Sequence, residues 1–242
     1  MPGATIIGVK ALHNGSGSFG AIIQALLYAS ATANAHVINM SLGAEFNRNE
    51  SGAAELISAL NRAVTFATRH GSLVVVAAGN SELNLDSEKN LIVTPAESGN
   101  AIAISTTGPQ EWAYGETNYE RPASYSNFGN SLVWLAAPGG DFAYPGNENC
   151  TVLVVRPCWV FDMVLSTVRG SGVAGSYGWA AGTSMAAPAA AAVAALIKQA
   201  NPSATPAQLK TKLAQSATDE GKVGQDAFYG RGFINARRAV TQ

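Results

Sequence analysis

Four short segments that are apolar on both faces, set apart by helix-like stretches, constrain this chain more than any other feature. They are residues 5–12 (Thr5-Ile6-Ile7-Gly8-Val9-Lys10-Ala11-Leu12), 36–42, 73–78 and 101–105. A strand with one solvated face alternates apolar and polar residues, whereas a strand covered on both faces reads as an almost unbroken apolar run. Between the runs, a turn at Asn14-Gly15-Ser16-Gly17 leads into a helical stretch through Ile22-Ile23-Gln24-Ala25-Leu26-Leu27, and residues 53–68 form a longer amphipathic one. This order predicts an α/β fold of three layers, a mainly parallel sheet with helices on both faces.

At 242 residues the chain fits one such domain, 1–242, with no internal repeat or low-complexity linker. Hydrophobic residues make up 47% and charged residues only 13%, about half the usual charged share, and 25 glycines imply close backbone approaches. A formal net charge of −1 leaves no basic footprint, so neither nucleic acid nor an anionic membrane is an expected partner. The longest apolar run, 186–197, contains Pro188 and falls short of the ~20 residues that a membrane span needs. Met1-Pro2-Gly3 passes straight into the first strand-like run, so no secretory signal is expected on this chain.

From 111 to 180 the chain is looser, with Pro122, Pro138, Pro145 and Pro157. Cys150 and Cys158 lie in that stretch, eight apart. A local disulfide and two unrelated thiols are both open readings, because spacing does not fix the Cα separation. No histidine or second cysteine pair accompanies them as a zinc set. After Gly182-Thr183-Ser184-Met185 an alanine-dense helix runs to about Gln199. Asn201-Pro202-Ser203 breaks it, and Thr205 and Pro206 stand as N-cap and first residue of the next helix.

In parallel α/β sheets ligands collect beyond the carboxyl ends of the strands. That rule singles out His13 to Gly17, Ser41 to Gly43 and Gly79-Asn80. Ser184 sits where a glycine turn meets a hydrophobic helix, where free N–H groups stabilise developing negative charge. A helix N-cap serine is the plain alternative there.

Taken together these segments resemble the subtilisin family of serine proteases (subtilases, peptidase S8). The segments are Val37-Ile38-Asn39-Met40-Ser41-Leu42-Gly43, Val74-Val75-Val76-Ala77-Ala78-Gly79-Asn80, Ser124-Tyr125-Ser126-Asn127-Phe128-Gly129, Ala136-Ala137-Pro138-Gly139-Gly140, Gly182 through Pro188, and Tyr229-Gly230-Arg231-Gly232-Phe233-Ile234-Asn235-Ala236. The resemblance implies a subtilisin-like three-layer fold and a serine hydrolase acting on a peptide, protein or ester. Ser184 would be the nucleophile, and the Asn80 amide with the Ser184 N–H would form the oxyanion hole. Gly15, Ser16 and Gly17 on one side and Ser41, Leu42 and Gly43 on the other would pair with an extended substrate. Ala77, Ala78, Gly79 and Thr183 would line the site. The family also implies a secreted or extracytoplasmic protein and allows calcium, for which the sequence identifies no site.

The resemblance is to the C-terminal part of the catalytic domain, N-terminally truncated. The family's aspartate strand and its His-Gly-Thr-His helix have no counterpart here. Of three histidines, His36 and His70 precede strands and face away from the site, which leaves His13 as the sole local candidate for a base against the alternative of a solvated loop histidine. The missing aspartate strand would lie between residues 5–12 and 36–42. Either another polypeptide, a complementing chain or a second copy, fills that slot, or the first strand moves inward and carries His13 about 5 Å closer to the centre. A further departure is Ala189-Ala190-Ala191-Ala192 where the family has His-Val-Ala-Gly, with Ala192 expected to fill a close helix contact. Residues 141–162 read as a surface elaboration. A binding module that has lost its base, and a truncated product without function, are the rival readings.

Overall fold

The computed structural model describes residues 3–143, 146–170 and 175–241. Met1, Pro2 and Pro145 of the stretches discussed above lie outside the described residues. In chain order come α1 (Phe19–Leu27), a π turn over Tyr28–Thr32, β1 (Val37–Met40), β2 (Ala44–Asn47), α2 (Ala53–Arg69), β3 (Leu73–Ala77), β4 (Leu91–Thr94), β5 (Ala101–Thr107) and β6 (Val133–Pro138). There follow β7 (Asn149–Thr151), β8 (Val155–Pro157), β9 (Val164–Arg169), β10 (Gly175–Ala180), α3 (Thr183–Ala200), α4 (Pro206–Ser216) and α5 (Ala236–Thr241).

The central sheet has the order β1-β3-β5-β6, every pair parallel, with Val37 opposite Leu73 and Val74 opposite Ala101. All five residues of β3 are buried, as expected of a strand covered on both faces. Its side chains divide with period two. Leu73, Val75 and Ala77 pack with Ile197, Leu209 and Leu213 of α3 and α4, while Val74 and Val76 pack with Leu60 and Val64 of α2 and Leu26 of α1. The three-layer α/β/α architecture is therefore present. The cap on α4 forms as read: Thr205 accepts from the Gln208 N–H, the Gln208 side chain accepts from the Thr205 N–H, and Pro206 opens the helix.

Two features lay outside the sequence reading, and one reading left open is decided. β2 and β4 form a small antiparallel pair beside the main sheet. β6 is a full sheet strand, and the loose stretch after it folds into two antiparallel ribbons, β7–β8 and β9–β10. The cysteines are bridged, Cys150 to Cys158 with Cα atoms 4.8 Å apart, which closes the β7–β8 hairpin at its base.

Three expectations are corrected. Residues 5–12 form no strand: they have no ladder pairing, and Ile6 is 86% exposed. The first strand has not moved inward, because the single sheet partner of β1 is β3. A strand exists through its neighbour, and the neighbour expected between this segment and β1 is not in the chain; apolar character alone does not form a ladder. Ala192 is likewise exposed rather than filling a close contact. With Pro188 it makes an uncovered stripe on α3, a helix whose other faces are mostly buried.

Candidate active site

Parallel strands place all their carboxyl ends on one edge, and there β1 delivers Ser41 and β3 delivers Gly79 and Asn80. The chain reaches α3 from β10, and Gly182 is tied in by its N–H to the Gly139 carbonyl at 3.0 Å. Only glycine fits at 139: a Cβ there would stand 2.1 Å from Thr106 Oγ1 and 2.5 Å from the Gly182 carbonyl. So β6 and the start of α3 can approach closely enough to fix where Ser184 stands.

Ser184 is the second residue of α3 and is half-buried. Its N–H is one of the first-turn donors that a helix leaves without an internal acceptor. Beside it, the Asn80 side chain is held in one orientation. Its Oδ1 accepts from the Thr183 N–H at 2.9 Å and from Thr183 Oγ1 at 2.8 Å. Its Nδ2 and the Ser184 nitrogen each lie 3.5 Å from the point that a Cβ on Gly182 would occupy. Thr183 Oγ1 also accepts from the Gly79 N–H at 3.1 Å, so one buried hydroxyl ties β3 to α3. Two nitrogen donors, one from a side chain and one from the main chain, thus lie close together at the start of α3.

The loop carrying Asn80 rests on Asn127, which is fully buried. Asn127 Oδ1 accepts from the Ser81 and Leu83 N–H groups at 2.9 and 3.0 Å, while Nδ2 donates to the Ala78 carbonyl at 3.2 Å. Gly79 has φ +106°, and a Cβ on it would stand 2.2 Å from Asn127 Nδ2. Asp141, also buried, accepts from Ser124 Oγ and from the Phe142 and Ala143 N–H groups, and Tyr125 donates to the Gly140 carbonyl at 2.6 Å. Burial pushes the Tyr125 hydroxyl well above its ordinary value, so it remains a neutral donor. Sequence reasoning quoted 124–129 as a landmark but gave Asn127 no role. A polar residue inside an apolar, glycine-flanked run is the signal that could have marked it.

Ser41 comes directly against the nucleophile position: its hydroxyl donates to the Ser184 carbonyl at 2.6 Å, and Ser184 Oγ reaches the Ser41 carbonyl at 3.4 Å. Leu42 is half-buried and Gly43 exposed beyond it. Ala77 and Ala78 are buried at the end of β3. No histidine hydrogen-bonds to this group among the described residues. His13 is exposed in a tight turn whose backbone closes on Ser16, His13 N–H to Ser16 carbonyl at 2.7 Å and the reverse at 3.1 Å, with Gly15 between them and Gly17 just after. No hydrogen bond joins His13 to Ser184 among the described residues. His36 lies before β1 and His70 before β3, at the opposite end of the sheet; His70 Nδ1 meets the Phe66 carbonyl at 2.9 Å.

Among the described residues no group of three or more His, Cys, Asp or Glu could hold a metal ion. The calcium implied by the resemblance therefore finds no such set there. No helix among the described residues is long and apolar enough to cross a membrane.

Fold and site define an α/β protein of subtilisin-like arrangement, with a serine at a helix N-terminus facing a fixed asparagine. The subtilase family model matches residues 1–232, and the chain belongs to that family. It is 35% identical over 240 residues to the alkaline elastase YaB of a Bacillus strain, covering 99% of this chain and 49% of the relative. It is also 35% identical over 240 residues to subtilisin Savinase of Lederbergia lenta, covering 99% and 69%. Among solved structures, a lanthipeptide protease superposes with a TM-score of 0.78 at 27% identity, over 96% of this chain and 68% of that one. A protease of Pseudoalteromonas arctica gives 0.68 at 30% identity over 93% and 59%. The chain spans about half the length of the first of these curated relatives.

Proposed function

We propose that this chain carries the nucleophile half of a serine hydrolase that cleaves peptide, or ester, bonds through an acyl-enzyme on Ser184. The observation that carries this reading is the pinned Asn80 amide: its Oδ1 is committed to Thr183, and its Nδ2 and the Ser184 nitrogen lie 3.5 Å from the same point, the place of a Cβ on Gly182. Ser184 Oγ attacks the carbonyl carbon, and the oxygen that gains charge is met by these two donors, each worth about 10²–10³ in rate. Residues 41–43 offer an edge for an extended peptide, with the turn at 15–17 opposite, and residues 77–79 wall the pocket for the side chain next to the scissile bond.

The proton on Ser184 Oγ needs a base, which we assign to residues outside these 242, either in the same polypeptide or in a second chain. Three features support completion from outside: the open edge of β1, the exposed apolar segment 5–12, and the uncovered stripe at Pro188 and Ala192. An extracytoplasmic setting is supported by the Cys150–Cys158 bridge, since disulfides persist in oxidising compartments, and by a relative named an extracellular protease. A second reading, a peptide-binding module without turnover, is favoured by one observation: Ser184 Oγ is turned to the Ser41 carbonyl rather than to a base.

A fluorophosphonate probe, applied to the chain with the base-supplying polypeptide attached or added, separates the two. Labelling that vanishes in Ser184→Ala supports the hydrolase; a wild type that reacts no faster than free serine supports the binding module. His13→Ala should leave labelling unchanged, and a loss there would return the base to His13. Nitrophenyl ester turnover compared with casein hydrolysis then separates esterase from protease.

A further inference from the structure

Pro188 is the sixth residue of α3, four residues after Ser184. In a regular helix the N–H of residue 188 would donate to the carbonyl of residue 184, but proline has no N–H and its ring crowds that carbonyl. The Ser184 carbonyl therefore loses its helical donor inside the turn that carries the nucleophile. The structure supplies a replacement from another element, because the Ser41 hydroxyl donates to it at 2.6 Å, a bond spanning 143 positions of sequence. Ser41 is not free to do otherwise. Asn39 Nδ2 donates to Ser41 Oγ at 3.0 Å and occupies one of its lone pairs, so the single hydroxyl proton is left for the Ser184 carbonyl.

We propose that Ser41 is a positioning residue for Ser184: with Asn39 behind it, it stands in for the N–H that Pro188 lacks and fixes the Ser184–Met185 peptide plane. That plane joins Ser184 at its Cα, so its orientation sets the ψ angle of Ser184 and with it the direction of the Cα–Cβ bond that carries the nucleophile. The role deepens the hydrolase reading and rests on it for its rate consequence alone. Ser41 touches neither attacking oxygen nor oxyanion through its side chain, and its place on the substrate edge is through backbone groups that Ser41→Ala leaves intact.

The test is a cycle between Ser41 and Pro188, read in two ways. The first reading is spectroscopic and needs no activity. Of the four methionines only Met185 follows a serine, so protein with ¹³C-carbonyl serine and ¹⁵N methionine gives one carbonyl–amide correlation, that of Ser184–Met185. Losing the hydrogen bond in Ser41→Ala should move that carbon upfield, Ser41→Thr should restore it, and adding Pro188→Ala to Ser41→Ala should restore it through the new helical N–H. The second reading is the fluorophosphonate labelling rate. It should fall at least about tenfold in Ser41→Ala, recover in Ser41→Thr, and be nearly insensitive to Ser41→Ala once Pro188→Ala is present. An unmoved carbon in Ser41→Ala, or a labelling loss that Pro188→Ala fails to relieve, overturns the proposal. A wild type that does not label overturns the hydrolase reading alone, and the carbon shift still decides the positioning role.

Discussion

Residues 5–12 and strand β3 are written in nearly the same alphabet and have opposite fates. Both are runs of β-branched and small apolar residues. β3 is paired on both sides and buried throughout, while the first run lies exposed with no ladder. The difference is in the neighbours. β3 finds β1 and β5 in this chain and helices on both faces, whereas the first run has no strand beside it. Composition sets what a segment is able to bury, and the availability of a partner decides whether it does so.

This contrast can be broken by experiment, and hydrogen exchange gives the largest difference. Amides of β3 should exchange only through global opening, and those of 5–12 at nearly unprotected rates, a ratio of about 10³ or more. Comparable protection in both would mean that the first run has a partner in solution. Next comes Asn127→Ala, which strands the Ala78 carbonyl and two loop N–H groups and should destabilise urea unfolding by about 3 kcal/mol. A matched pair follows. Val75→Ala in β3 should lose about 2 kcal/mol, and Val9→Ala in the first run less than about 0.5 kcal/mol. Equal losses would erase the distinction.

The smallest effect concerns Asp86, which ties the loop after β3 to the turn before β6. Partial burial raises its pKa, but the N–H groups and side chains of Asn130 and Ser131 outweigh that and hold it down at about 2 against an ordinary 3.8. Because the folded value lies below the unfolded one, the carboxylate stabilises the fold above pH 3.8, and that contribution is lost as pH falls through about 2. Asp86→Asn should lower stability above pH 3.8 and leave it nearly unchanged below about pH 2, which flattens the acid end of the stability profile. No carboxylate does similar service for residues 5–12, which contain none.

Much of this was legible in the sequence, for identifiable reasons. β3 and β5 announce themselves by unbroken apolar runs, α4 by Thr205-Pro206, and the serine turn by Gly182 before an apolar helix. Other features depend on contacts between distant residues. β6 is a short apolar run inside a glycine- and proline-rich stretch, and its pairing with β5, irregular after Ala103, joins residues about thirty apart. The pinning of Asn80 by Thr183 spans 103 positions, and the Ser41 bond spans 143. No local pattern carries either. The strand assigned to 5–12 failed for the opposite reason, since its local pattern is sound and its missing partner cannot be read from local residues.

The edge strand β1 is only four residues long, Val37–Met40. A newcomer pairing there gains a handful of main-chain hydrogen bonds, each of small net worth, so a free peptide would hold that edge only weakly. A tethered segment is in a different position, because a short linker raises its local concentration to the millimolar range without any added contact. Completion of the sheet is then governed by connectivity more than by affinity. A segment joined to this chain would outcompete one arriving from solution, and the nucleophile half would gain its base only when the right piece is attached or abundant.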